Sequence, residues 1–243
     1  MRTLTERATF FSENEGAQAF LSGRCGFYLS QSPDIRARDL YYVILLNIRN
    51  VNDMSEKKTT LYFSGPGEAN SDETLQIAKE RAEELGIKNV VVASTRGETG
   101  LKAVDVFKDY NVVVVPHVTG LREPGVQEMS DEAIEKIKAA GGKVVIAAHT
   151  FSGIDRAIQA KWDTMYPAGI IAQTLRLFGQ GMKVVVEIAA MAADAGVVPV
   201  DEDVLVISGS GRGADTAVVM KAANSHRFFD MVVREIIAKP RNI

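Results

Sequence analysis

From residue 59 onward, hydrophobic positions fall into short continuous runs separated by amphipathic stretches. The runs at 59–63 (TTLYF), 89–93 (NVVVA), 111–115 (NVVVV), 143–148 (KVVIAA) and 203–207 predict strands, and 228–238 predicts a last one. They are Val-rich and continuous rather than alternating, as strands are when helices cover both faces of a parallel sheet. Between them, Leu75, Ala78, Ala82 and Leu85 recur at helical spacing, with Ser71 as a predicted N-cap and Gly86 just past the end. Helices are likewise expected over 99–109 and 130–140, and from Asp215 to about Asn224. Strand–helix alternation predicts an α/β domain with a mostly parallel sheet. In such sheets ligands bind at the C-terminal ends of the strands, near a switch in strand order.

Two stretches depart from this rhythm. Residues 168–195 hold two apolar helical runs around Gly179, and the second is apolar almost all round. Lys183, Glu187 and Asp194 share one narrow stripe of it. The expected reading is a solvated edge with a Lys–Glu pair worth a few tenths of a kcal/mol. The alternative is an ion pair pointing into a cleft or a subunit interface. Residues 1–53 lack the rhythm altogether, with only 40–48 (LYYVILLNI) resembling a strand or a buried helical turn. The segment is either an arm packing through those residues or an extension upstream of a domain at 54–243. The extension is favoured, because the following domain looks complete without it.

Composition narrows the class. The chain has 243 residues, 46% of them hydrophobic, and a formal net charge of -3. Near-neutrality gives no reason to expect nucleic acid or an anionic membrane as partner. A single cysteine, Cys25, excludes a disulfide scaffold and a Cys-rich metal site. No apolar run approaches the ~20 residues of a membrane helix. No secretory leader is visible, so the cytoplasm is the expected compartment. The apolar surplus of 170–195 predicts a homo-oligomer.

The loops after the strands carry the candidate chemistry. Ser208 to Thr216 includes Gly209, Gly211, Arg212, Gly213 and Asp215. Read as a strand-to-helix turn, it is an anion cradle, with glycines for close approach, helix N–H groups and a guanidinium for a phosphate. The spacing of Gly209, Gly211 and Ala214 formally meets the dinucleotide fingerprint, but no acidic strand end follows at the usual distance. A second cradle is Ser94, Thr95, Gly97 and Thr99, whose simpler reading is helix capping by Thr99. His117, Thr119 and Gly120 follow the third strand, and His149, Ser152 and Gly153 the fourth. A metal on the two histidines is not expected, because no carboxylate stands at ligand spacing. Trp162 and Tyr166 are read as cleft cover, core or interface.

From residue 54 the chain resembles the stand-alone proteins similar to the C-terminal domain of pyruvate kinase. The resemblance rests on STRGETGLKA (94–103), HTFSGIDR (149–156), GMKVVVEIAAMAADAG (181–196), GRGADTAVV (211–219) and FFDMVVREIIAKPRN (228–242). It implies a three-layer α/β/α fold with an antiparallel C-terminal edge strand. It also implies flavin mononucleotide (FMN) binding with no assigned reaction. Ser94, Thr95, Gly97 and Thr99 match the loop that holds an effector's sugar phosphate in pyruvate kinase. Glu98 replaces the basic residue usual there, which argues against a sugar bisphosphate, and the kinase's catalytic barrel is absent from the resemblance.

The leading expectation is therefore a phosphorylated cofactor, FMN, bound at the strand ends. A regulatory module sensing a sugar phosphate or nucleotide and a nicotinamide-dependent enzyme are the alternatives.

Overall fold

The computed structural model describes residues 20–21, 27–28 and 56–242. The chain divides into two compact units, Met1–Lys58 and Thr59–Ile243. In the first, Phe20–Leu21 and Phe27–Tyr28 form a two-stranded antiparallel ladder. The strand or turn expected at 40–48 lies outside the described residues, as does Met54.

In the second unit, seven described strands form one sheet. They are β1 (Leu61–Phe63), β2 (Asn89–Ala93), β3 (Asn111–Val115), β4 (Lys143–Val144), β5 (Asp203–Ser208), β6 (Thr216–Lys221) and β7 (Val232–Pro240). Their order is β1-β7-β6-β5-β2-β3-β4. All pairings are parallel except those of β6, which runs antiparallel to both β5 and β7. The α/β architecture is the expected one, with its antiparallel pairings among the C-terminal strands. β1 lies outside β7 and forms the sheet edge.

The described α-helices of this unit are α1 (Ser71–Leu85), α2 (Glu98–Val106), α3 (Asp131–Ala139), α4 (Ile154–Trp162), α5 (Pro167–Arg176) and α6 (Gln180–Asp194). All but α4, which buries no residue, contribute to the cores on the sheet. Alternate strand residues serve opposite faces, as the two-residue period of a strand requires. Val90, Val92, Val112, Val114, Leu205 and Ile207 meet α1–α3 in one core. Val91, Val113, Val204 and Val206 meet α5 and α6 in the other. Covering both faces explains the continuous valine runs.

Helix α1 ends at Gly86, in the left-handed conformation with φ 68°. Its N-cap is Asn70 rather than Ser71, whose hydroxyl donates to Glu68 O and accepts from Ala214 N–H. Ser130 caps α3, accepting from Ala133 N–H at 3.2 Å.

The helix expected after Asp215 is strand β6. Its residues TAVVMK are almost entirely buried between β5 and β7. A short apolar run has no period that separates helix from strand. Here two flanking strands offer ladder partners on both sides, and two valines suit a pleated surface. At the other end only Lys143 and Val144 of the 143–148 run form a strand, since β4 has a single neighbour.

Candidate functional site

The strand order reverses between β2 and β5. From β2 the chain steps outward to β3 and β4, then returns to the far side of β2. The loops after β2 and β5 therefore part at the C-terminal edge, the geometry that opens a ligand crevice. A cavity of about 680 Å³ lies there, within the range of small-molecule sites. Its lining joins Ser94–Thr95 and Thr99, Pro116–His117, His149 and Ser152, Gly209–Gly213 and one face of α6.

Of the residues singled out in the sequence, the cavity brings together Ser94, Thr95, Thr99, His117, His149, Ser152, Gly211, Arg212 and Gly213. Gly97, Thr119, Gly120, Gly153, Asp215 and Thr216 stand outside its lining. Gly97 is the N-cap of α2 at φ 109°, where a Cβ would lie 2.8 Å from Ala133 Cβ. Thr119 and Gly120 lie in an exposed loop, and Gly153 precedes α4. Trp162 is exposed and, like Tyr166, outside the lining.

The β5–β6 loop is not a helix entry. It closes an antiparallel pair, so the loop itself opens no helix. The start of α1 meets it from elsewhere in the chain, where Ser71 Oγ accepts from Ala214 N–H at 2.9 Å. The loop's Ser210 N–H serves an internal anion instead. The fully buried Asp215 carboxylate accepts from Gly67 N–H at 3.2 Å, Ser210 N–H at 3.0 Å, Ser210 Oγ at 3.2 Å and Thr216 Oγ1 at 2.8 Å. Arg212 does not pair with Asp215 and stays exposed at the cavity rim.

The β2–α2 loop does open a helix. Ser94 Oγ, rather than Thr99, satisfies a first-turn donor, accepting from Gly100 N–H at 3.0 Å. Earlier N–H groups of a helix have no intrahelical carbonyl and favour an anion. Gly100 allows close packing, since a Cβ there would meet Val114 at 2.8 Å.

The two histidines meet edge to face, with ring centroids 5.6 Å apart. His117 Nδ1 lies 2.7 Å from Glu128 Oε2. A carboxylate only accepts, so Nδ1 carries the proton, and Nε2 faces Thr95 Oγ1 at 3.4 Å. His149 Nε2 accepts from Val118 N–H at 3.2 Å, which leaves the ring proton on Nδ1 towards Ser152 Oγ. Burial pushes the His149 pKa below the usual histidine value, and neighbouring His117, Lys183 and Arg156 add to that. Glu187 acts in the opposite direction.

Lys183 and Glu187 overturn the solvated-edge expectation. Their side chains are 8% and 6% exposed, they pair with each other, and both line the cavity. Glu187 Oε1 also accepts from Phe151 N–H at 3.2 Å. Burial lowers the Lys183 pKa, opposed by Glu187. Asp194, on the same stripe, is exposed and accepts from Ser225 N–H instead. The available signal was a Lys and a Glu one turn apart in an otherwise apolar helix.

Lys183 and Glu187 thus follow the alternative of a cleft-facing pair, whereas Arg156 and Arg176, which also reach the cavity, were not singled out in the sequence. Six cations line it (Arg96, Arg122, Arg156, Arg176, Lys183, Arg212), against four carboxylates (Glu68, Glu98, Glu128, Glu187). Of the carboxylates, Glu187 pairs with Lys183 and Glu128 accepts a hydrogen bond from His117. No ion pair within the described residues engages Arg96, Arg122, Arg156 or Arg212. No three His, Cys, Asp or Glu side chains cluster as metal ligands among the described residues. No described helix is long and apolar enough to cross a membrane.

The family model for the pyruvate kinase alpha/beta domain matches residues 72–220. Among solved structures the chain is similar to Cryptosporidium parvum pyruvate kinase in complex with ADP, at 11% identity and a TM-score of 0.33. That match covers 81% of this chain and 27% of the kinase. The chain is also similar to O-ureido-L-serine synthase, at 19% identity and a TM-score of 0.25, over 56% of this chain and 50% of that one.

Proposed function

The chain belongs to the pyruvate kinase alpha/beta domain family, and on that premise we propose that its cleft binds a phosphorylated small molecule, with FMN the foremost candidate. The observation that carries this is the surplus of arginines around a cavity at the strand C-termini, with Arg96, Arg122, Arg156 and Arg212 in no ion pair among the described residues. Guanidinium groups suit phosphate because they offer paired donors in a fixed fork. Arg96 and the first turn of α2 share one side of the cavity with Ser94 and Thr95, and Arg212 contributes from the β5–β6 loop. An apolar floor of Val115, Pro116, Val184, Ile188 and Met191 suits a flat ring system.

Mass spectrometry of small molecules released from the purified protein tests this directly. The expected result is a phosphorylated compound, and for FMN a yellow protein with a flavin absorption spectrum. FMN added to ligand-free protein should bind at least about tenfold more tightly than riboflavin, a difference of ~1.4 kcal/mol for the phosphate. Equal affinity for the two would remove the phosphate from the proposal. Tight binding of a nucleotide or sugar phosphate, with no flavin affinity, would replace FMN by the sensor function.

A further inference from the structure

We propose that Lys183 is a carbonyl-capturing nucleophile, forming a protonated imine with the aldehyde or ketone of a phosphorylated substrate that the cleft admits. The ring carbonyls of FMN are imide-type and form no imine, so this substrate is a compound distinct from FMN. The phosphate part rests on the function proposed above; the imine does not.

A lysine is rarely buried, and this one is 8% exposed yet faces a ligand-sized cavity. Its ammonium is fixed rather than mobile. Glu187 holds it by one carboxylate oxygen, while the other oxygen is pinned by Phe151 N–H at 3.2 Å. The Phe151 ring lies 5.5 Å from Nζ, and Val184 and Ile188 flank it on α6. Burial of the side chain favours the neutral amine, which is the nucleophile. An exposed lysine of ordinary pKa about 10.4 holds only about one amine in a thousand unprotonated near pH 7.4. Burial moves Lys183 in the reactive direction, and nearby Arg176 and Arg156 add to it.

The step balances within the site. The ammonium passes one proton to the Glu187 carboxylate. The freed amine attacks the carbonyl carbon, forming a C–N bond and breaking the C–O π bond. The oxygen takes up the proton from Glu187 and one from nitrogen and departs as water. The product is an iminium with the same single positive charge as the original ammonium. The pair with Glu187 is therefore kept, and no buried charge is left alone. Neutral His149, whose Nδ1–H faces Ser152, stands in the same lining as a second proton-holding group.

The test is reductive trapping on the full chain. The protein is incubated with glyceraldehyde 3-phosphate and sodium cyanoborohydride, and the adduct is located by peptide mass mapping. Hydride adds to the iminium carbon and leaves a stable secondary amine. The expected result is one adduct per chain, on Lys183, formed at least about tenfold faster than on any exposed lysine. Lys183→Arg, which keeps a cation beside Glu187, should lose that adduct while melting near the parent temperature. Labelling spread over exposed lysines, with Lys183 no faster than the rest, overturns the proposal even if the variant fails to fold. Phosphate-free glyceraldehyde separates the two claims. If it labels Lys183 as fast as the phosphorylated compound, the imine stands and the phosphate site falls. If neither labels Lys183 while FMN binds, the imine falls and the phosphate site stands.

Discussion

Gly67 N–H donates to the Asp215 carboxylate across 148 residues of sequence, at 3.2 Å. This contact ties the loop after β1 to the loop after β5.

Asp215→Asn should therefore act on stability before binding. An amide offers one acceptor oxygen and turns two donors towards groups that already donate. Losing part of this charged network should cost about 2 kcal/mol, or roughly 4–8 °C in Tm for a chain of this size. Thermal melting checks this; an unchanged Tm would show that the loop holds without the carboxylate.

Arg212→Ala should show the reverse pattern. Arg212 is exposed and makes no ion pair among the described residues, so Tm should hold within about 1–2 °C. Affinity for a phosphorylated ligand should fall roughly ten- to a hundredfold, the ~1.5–3 kcal/mol of a charge-assisted hydrogen bond. Riboflavin affinity should not change. Titration calorimetry with FMN and riboflavin separates these outcomes, and equal losses for both would place Arg212 away from the phosphate.

Breaking the buried pair on one side should be costly. Lys183→Met leaves the Glu187 carboxylate with only the Phe151 N–H, and such a loss costs about 3–5 kcal/mol. The double variant Lys183→Met, Glu187→Gln keeps an acceptor for Phe151 and leaves no buried charge. It should recover most of the loss in urea unfolding. A double variant no more stable than Lys183→Met would show that the pair is not the relevant unit.

The His149 ring sets a pH dependence. Its pKa is lowered in the folded chain, chiefly by burial. Below the unfolded value of about 6.5, the unfolded chain binds a proton that the folded one resists, so stability falls as pH falls. The effect vanishes well above 6.5 and grows until the lower folded pKa is passed. Protonation would also remove the Nε2 acceptor of Val118 N–H. His149→Gln should flatten the slope of unfolding free energy between pH 6.5 and 5, as measured by urea titration at each pH. An unchanged slope would assign the dependence to other groups.

Which parts of this protein its sequence by itself determined follows from the range of the forces involved. The parallel strands Asn89–Ala93 and Asn111–Val115 coincide with their valine runs residue for residue, and Gly86 ends α1 where it should. These are local effects: branched side chains covered on both faces, and a left-handed cap. Strand-end loops carrying Ser94, His117, His149 and Arg212 were legible for the same reason, since α/β connectivity sends them to one edge. Only the tertiary structure decided the rest. The run Thr216–Lys221 is a strand because β5 and β7 flank it. Asp215 is an internal anion because Gly67 lies beside it. Lys183 and Glu187 face a cavity because α6 packs across the sheet with that stripe turned to the strand ends. Each of these depends on groups outside the segment itself, and burial, which sets both hydrogen-bond strength and proton affinity, has no value until those groups arrive.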